Sequence, residues 1–415
     1  MAHSASEKCE KAPEECGATT LNNLPNVCVS LITEYIGDFL QLYACVYILC
    51  KDIPSRWLAM IEVVRIDNIR SEQAAKRLFQ RIKETNVKFL TLDKVNISAR
   101  DLSELLDLES SPHLLHLQLR NIKNEINLWD CGLTENLALR SFEVDMAPVT
   151  YIGSLCMYAP QLVSLSLTNI LDFGDSGLSA LESTIQRLEH LKLVNVHLSD
   201  LGVVYLLRIL SEYCFEKECA KHNGPNRFCK LKRLELSSKK ITSHAFDLIR
   251  EAEYLQLTHL NVGGCRIQNA DPVRRFMVKK GHGLKCLGLG SPTVDDTILA
   301  SSLFLDGYPR SLVSSLQELH LTGAGISDRS VDMIVRVFGA PNDHLRVLNI
   351  SWCTLVTGRS IENLGKVVSL EELYLNKCRR IKLDHLIPVL VGCNRLQKLS
   401  CRDIPVKLVS FNFSR

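Results

Sequence analysis

A chain of 415 residues, 46% hydrophobic and 23% charged, holds enough apolar material for a large core and is excluded from the disordered class. With 49 basic against 46 acidic residues its net charge is +3, which excludes a global electrostatic pull toward nucleic acid or an anionic membrane. Partners must therefore be recognised locally.

Residues 1–20 are polar and carry Glu7, Lys8, Glu10, Lys11, Glu14 and Glu15, which is not the apolar core of a secretory signal; a disordered tail is expected. The most apolar run, Phe39 to Cys50, is twelve residues long and includes Gln41, short of the roughly 20 that a membrane span requires. The expectation is a soluble chain of cytoplasm or nucleus. Its sixteen cysteines, too dilute for a small disulfide scaffold, are expected to be reduced thiols.

Residues 21–57 show two helical stripes. Cys28, Leu31, Ile32, Tyr35, Ile36 and Phe39 step at i, i+3, i+4, i+7, i+8 and i+11. After Gly37 a second stripe runs through Leu42, Cys45, Val46, Leu49, Cys50 and Ile53, ending near Pro54 and Trp57. A unit of this size cannot build a self-sufficient core, so part of these stripes must rest on the remaining chain or on another protein.

From residue 58 to 404 one spacing dominates, L-x-x-L-x-L. It occurs at Leu114, Leu117, Leu119, then at Leu162, Leu165, Leu167, and again at Leu188, Leu191, Leu193 and Leu231, Leu234, Leu236. Further copies are Leu316, Leu319, Leu321, then Leu345, Leu348, Ile350 and Leu370, Leu373, Leu375, with looser ones centred on Leu90, Phe142, Leu260, Leu287 and Leu399. Leu58, Ile61 and Val63 offer an opening strand with the same spacing. Most intervals between copies are 23 to 32 residues, the range of leucine-rich repeats, and the single 43-residue step predicts an insertion near 211–229. Within each unit a short strand alternates apolar residues, and Ser98, Ser199-Asp200 and Ser327-Asp328 offer N-cap oxygens for a returning helix. One such unit cannot bury both faces, so neighbours must stack. The predicted fold is an α/β leucine-rich-repeat solenoid of about twelve or thirteen repeats, with residues 405–415 as a C-terminal cap or tail.

Cys265, Cys353 and Cys378 each fall three residues past the last apolar residue of a strand, and the steps Leu198-Ser199-Asp200 and Ile326-Ser327-Asp328 follow the same turn. Over residues 87–401 this resembles the cysteine-containing repeats of F-box proteins. The cysteines themselves are read as small apolar residues packed beneath the turn. Leu24, Pro25, Cys28, Ile32, Tyr35 and Ile36, then Leu49-Cys50-Lys51 and Trp57, are similar to an F-box, although Cys28 replaces a leucine and the second half sits about two residues late. The resemblance implies a substrate-recognition subunit of a cullin-RING ubiquitin ligase. It would dock a Skp-type adaptor through Leu24, Pro25, Cys28, Ile32, Ile36, Val46 and Trp57 and present a protein substrate on the solenoid. The same residues also fit a second pattern: Leu24, Cys28 and Ile32 resemble an elongin-binding box, and Ile53-Pro54, Trp57 and Ile61 the cullin box of Zyg-type repeat receptors. A third alternative is a stand-alone binding or inhibitory horseshoe in which residues 24–57 only cap the solenoid.

Other signals point to no chemistry. Gly174-Asp175-Ser176-Gly177 copies the letters around a trypsin-like nucleophile but sits at a helix entry, with no two-barrel pattern around it. Gly288-Leu289-Gly290 and Gly323-Ala324-Gly325 lack the third glycine or the Gly-Lys-Ser/Thr of a phosphate loop. Cys214, Cys219, His222 and Cys229 have a spacing that fits no common zinc module. The chain is expected to be non-catalytic and to need no metal or cofactor.

The substrate site is predicted on the inner strands, where the residues beside the apolar ones alternate outward. In the sixth to ninth repeats these are Arg233, Glu235, Ser237; His259, Asn261, Gly263; Cys286, Gly288, Gly290; and Glu318, His320, Thr322. Arg233, His259, Asn261, Gly288, Gly290, Glu318 and His320 are the candidate contacts, with the clustered glycines expected to leave a depression. The competing reading is that the glycines only relieve crowding between strands.

Overall fold

An alternating apolar strand buries its side chains on one face only, so a run of such strands in register builds one continuous sheet. In the computed structural model, which describes residues 62–83, 85–106, 113–131, 138–216, 229–304, 315–340 and 344–404, this is what the repeats do. The expected N-terminal tail, the helical pair with Leu24, Pro25, Cys28, Ile32, Ile36, Val46 and Trp57, most of the insertion and the C-terminal end lie outside those residues.

The strands are β1 (Val63–Asp67), β2 (Phe89–Asp93), β3 (His116–Arg120), β4 (Ile126–Asn127), β5 (Ser141–Asp145), β6 (Val149–Thr150), β7 (Ser164–Thr168) and β8 (His190–Val194). There follow β9 (Arg233–Ser237), β10 (His259–Asn261), β11 (Cys286–Gly288), β12 (Glu318–His320), β13 (Val347–Asn349), β14 (Glu372–Tyr374) and β15 (Lys398–Ser400). Thirteen of them form one parallel sheet in chain order, with β4 and β6 set apart as a separate two-stranded ladder. Between strands lie α1 (Glu72–Ile82), α2 (Ala99–Leu106), α3 (Ile152–Tyr158), α4 (Glu182–Ile185), α5 (Asp200–Glu216) and α6 (His244–Glu251). The later repeats add α7 (Ala270–Lys280), α8 (Asp296–Ser302), α9 (Asp328–Phe338), α10 (Gly358–Asn363) and α11 (Ile387–Gly392). No helix among the described residues is long and apolar enough to cross a membrane.

A parallel sheet whose strand order follows the chain, each strand returning through a helix or turn, is a leucine-rich-repeat solenoid. All twelve repeat centres read from the sequence fall at the second position of a strand, and all but the terminal Leu399 are fully buried. The core runs unbroken from Val64 to Ile404.

Three local expectations are corrected. The opening strand lies three residues later than the Leu58, Ile61, Val63 spacing places it: Val64 and Ile66 point inward, while Val63 is 63% exposed. A shift by an odd number of residues exchanges the two faces of a strand, and Val64 and Ile66 are the pair that joins the core. After β3 and β5 the return begins with the β4–β6 ladder, Ile126 opposite Val149, rather than with a helix. The insertion begins later than expected, because α5 continues through Glu216, and Cys229 is buried in the core rather than exposed on a loop.

Two sets of contacts bind neighbouring repeats. Asp175, Asp200, Asp296 and Asp328 each sit one residue into a helical turn and accept hydrogen bonds from the Ser or Thr that opens the next unit. The Asp200 carboxylate takes the Thr242 N–H at 2.9 Å and its hydroxyl at 2.6 Å; that of Asp328 takes the Thr357 N–H at 2.7 Å and hydroxyl at 2.6 Å. Asp175 serves Ser199 and Asp296 serves Ser327 in the same way. The Ser-Asp pair thus divides its work: Ser327 caps its own helix, and Asp328 holds the next. The turn cysteines form the second set. The thiols of Cys265, Cys353 and Cys378 donate to the carbonyls of Leu236, Leu321 and Ile350 in the preceding repeat at 3.4, 3.1 and 3.2 Å. Burial pushes the Cys265 thiol to about 11 and that of Cys353 to about 12, so both stay protonated donors at neutral pH.

Candidate binding surface on the open face of the sheet

Just past most strands the chain turns through a residue with positive φ, including Asn121 (50°), Asn169 (56°), Asn195 (52°), Trp352 (65°) and Lys377 (65°). Asparagine tolerates this region best because its side chain finds local partners. The Asn121 amide donates to Asp93 at 2.8 Å, that of Asn169 to Asp145 at 2.7 Å, and that of Asn195 to Asn169 at 2.9 Å. These corners hold the strands in register and leave alternate side chains of the sheet in rows on its open face.

The register brings the candidate contacts together. Arg233, His259, Cys286 and Glu318 are successive partners in one row across β9 to β12, and Glu235, Asn261, Gly288 and His320 form the next. His190 and Lys192 extend the two rows into β8. Arg233 is exposed, whereas His259, Asn261, Glu318 and His320 are half-buried. The Glu318 carboxylate lies 3.5 Å from His320 Nε2. The hydrogen bond from His320, joined by one from the Cys286 thiol, holds that carboxyl below its ordinary value against the opposing effect of burial. Burial and then the Arg233 charge lower both His190 and His259, so the histidines of this row favour the neutral form. His190 Nδ1 is buried without a hydrogen-bond partner. Lys192 and Glu235 face each other at 3.7 Å.

The glycines are differently placed from what the sequence led us to expect. Gly288 is buried beneath Asn261, whose side chain turns back to accept the Gly263 N–H at 2.9 Å; a Cβ at Gly288 would collide with it. At Gly290 a Cβ would meet the carbonyl of Thr322 at 2.5 Å. These glycines permit close approach between repeats, and no open depression lies at Gly288.

Several groups on or beside this face were not among the candidate contacts. Cys286 completes the row between His259 and Glu318 and is only 7% exposed. Lys398 lies over the Tyr374 ring at 4.9 Å, and Lys377 over Trp352 at 5.3 Å. Phe89 stacks on His116 at 4.2 Å near the first strands. Their signal was present, since each occupies an outward or corner position of the repeat.

No family model matches the chain, and no curated protein is matched by it. Among solved structures it is similar to an internalin from Listeria monocytogenes, with 18% identity over 88% of this chain and 90% of that one and a TM-score of 0.41. It is also similar to the Rad7 and Elc1 complex in yeast, with 16% identity over 90% of this chain and 85% of that one and a TM-score of 0.47.

Proposed function

We propose that this chain is a non-catalytic receptor that binds a protein along the open face of its sheet. The observation that carries this reading is the pair of side-chain rows across β8 to β12. Arg233, Glu235, His259, Glu318 and His320 mix both charges with hydrogen-bonding groups on a rigid, continuous framework. Such a surface suits an extended polypeptide, whose charges and amides can pair along the rows. Arg233, with its exposed guanidinium, is the natural anchor.

The F-box resemblance of residues 24–57 extends the proposal: the chain is the substrate receptor of a cullin-RING ubiquitin ligase in cytoplasm or nucleus, with Leu24, Pro25, Cys28, Ile32, Ile36, Val46 and Trp57 docking a Skp-type adaptor. The elongin-box spacing of Leu24, Cys28 and Ile32 supports a second reading in which elongin takes the adaptor's place. Affinity purification of the full chain from cells, scored for Skp-type adaptor, elongin and their cullins, separates the two. Recovery of neither adaptor would leave a stand-alone binding solenoid.

A further inference from the structure

We propose that Cys286, Glu318 and His320 form a site for a divalent cation of the zinc class on the open face of the sheet. The ligand atoms of these three side chains all lie within 4.8 Å of one another. The 3.5 Å between His320 Nε2 and the Glu318 carboxylate is close to the edge of roughly 3.4 Å that a tetrahedron with metal–ligand bonds of about 2.1 Å requires. The sheet itself fixes the arrangement. Cys286 and Glu318 are register partners on adjacent strands, and His320 follows two residues along the same face, opposite the side-chain-free Gly288.

The donor set selects the metal. Thiolate, imidazole and carboxylate together suit zinc or cobalt, whereas calcium and magnesium require oxygen ligands. The three groups now satisfy one another, the thiol and the imidazole both engaging the carboxylate. Among the described residues His320 is the only ion-pair partner of Glu318. A cation would therefore break no bond to Lys or Arg. Binding exchanges the thiol proton of Cys286, released to water, for a metal–sulfur bond. Three protein ligands leave a fourth position for water or for a donor from a bound partner, and His259, the neighbour of Cys286 on the other side, flanks it. The site lies on the face we assign to substrate, but metal binding stands or falls independently of any ligase role.

The test is titration of the full-length, reduced chain with cobalt(II), following the thiolate-to-metal charge-transfer absorption, with zinc(II) as competitor. The wild type should take up a cobalt equivalent, displaced by zinc, that Cys286→Ser loses together with one thiolate's share of the absorption. His320→Ala, a change at the surface of the sheet, should weaken that equivalent by about tenfold or more, since even partners of metal ligands are worth that much. Thermal melting without metal establishes that both variants fold. Equal uptake and absorption in wild type and Cys286→Ser would overturn the proposal, because any metal would then sit on other cysteines, and so would absence of a thiolate band in the wild type.

Discussion

Replacing Asp328 with Ala removes three hydrogen bonds that cross from one repeat to the next: those from the Thr357 N–H at 2.7 Å, the Thr357 hydroxyl at 2.6 Å and the Ser360 hydroxyl at 2.7 Å. A hydrogen bond to a charged acceptor is worth about 1.5–3 kcal/mol. Because Asp328 is half-buried, the Thr357 hydroxyl can turn to water and the buried Ser360 hydroxyl keeps the Thr357 carbonyl at 3.2 Å, so the expected loss is about 3 kcal/mol in total. In a solenoid this loss should appear locally, as a rise of about 150-fold in amide hydrogen exchange over residues 344–404 with little change before α9. The effect also has a pH signature. Burial alone would raise the Asp328 carboxyl, but the hydrogen bonds from Thr357 and Ser360 outweigh it and hold the group below its ordinary value. A depressed folded pKa gives stability that is complete above the unfolded value, near 3.9, and is lost as pH falls through the folded one. The difference between wild type and Asp328→Ala should therefore be constant from pH 7 to about 5 and shrink below about 4. A stability change under about 0.5 kcal/mol, or faster exchange spread evenly along the chain, would refute the inter-repeat role.

Cys353→Ala should cost about 1 kcal/mol in urea unfolding, because the Leu321 carbonyl loses one of its two donors inside the core and keeps only the Ala324 N–H at 3.0 Å; no measurable loss would reduce the thiol to a space-filler. Gly288→Ala should cost about 1 kcal/mol by displacing Asn261, and a double-mutant cycle should show the penalty vanishing in an Asn261→Gly background. An undiminished penalty there would place the constraint elsewhere.

The strand period was legible throughout, since twelve apolar centres at intervals of two to four dozen residues leave one way of stacking them. The Ser-Asp steps were legible as helix starts, but the role of the aspartate was not. Its partner, as with Asp200 and Thr242, lies in the next repeat, and the local pattern says nothing about that distance. The β1 offset was missed for a similar reason: Leu58-Ile61-Val63 and Ile61-Val64-Ile66 both match on spacing, and only packing against β2 chooses between them. On the open face of the sheet, alternation set Arg233, His259, Glu318 and His320 facing outward, and the register puts them in adjoining rows. It could not show that Asn261 folds over Gly288, because that follows from a side-chain hydrogen bond to the Gly263 N–H. The same alternation set Cys286 facing outward, though not among the candidate contacts; unlike the cysteines beneath the turns, it lies in a strand.

Purifying three forms of the full chain from cells, wild type, Leu24→Ala with Pro25→Ala, and Arg233→Glu, would set the two-ended receptor against its alternatives. Wild type should recover both a ligase adaptor and a substrate protein. The Leu24/Pro25 variant should lose the adaptor and keep the substrate, and Arg233→Glu, at an exposed position on the open face, should keep the adaptor and lose the substrate. Adaptor and substrate retained by all three forms, or lost together from either folded variant, would contradict a receptor that holds its machinery at one end and its target on the sheet.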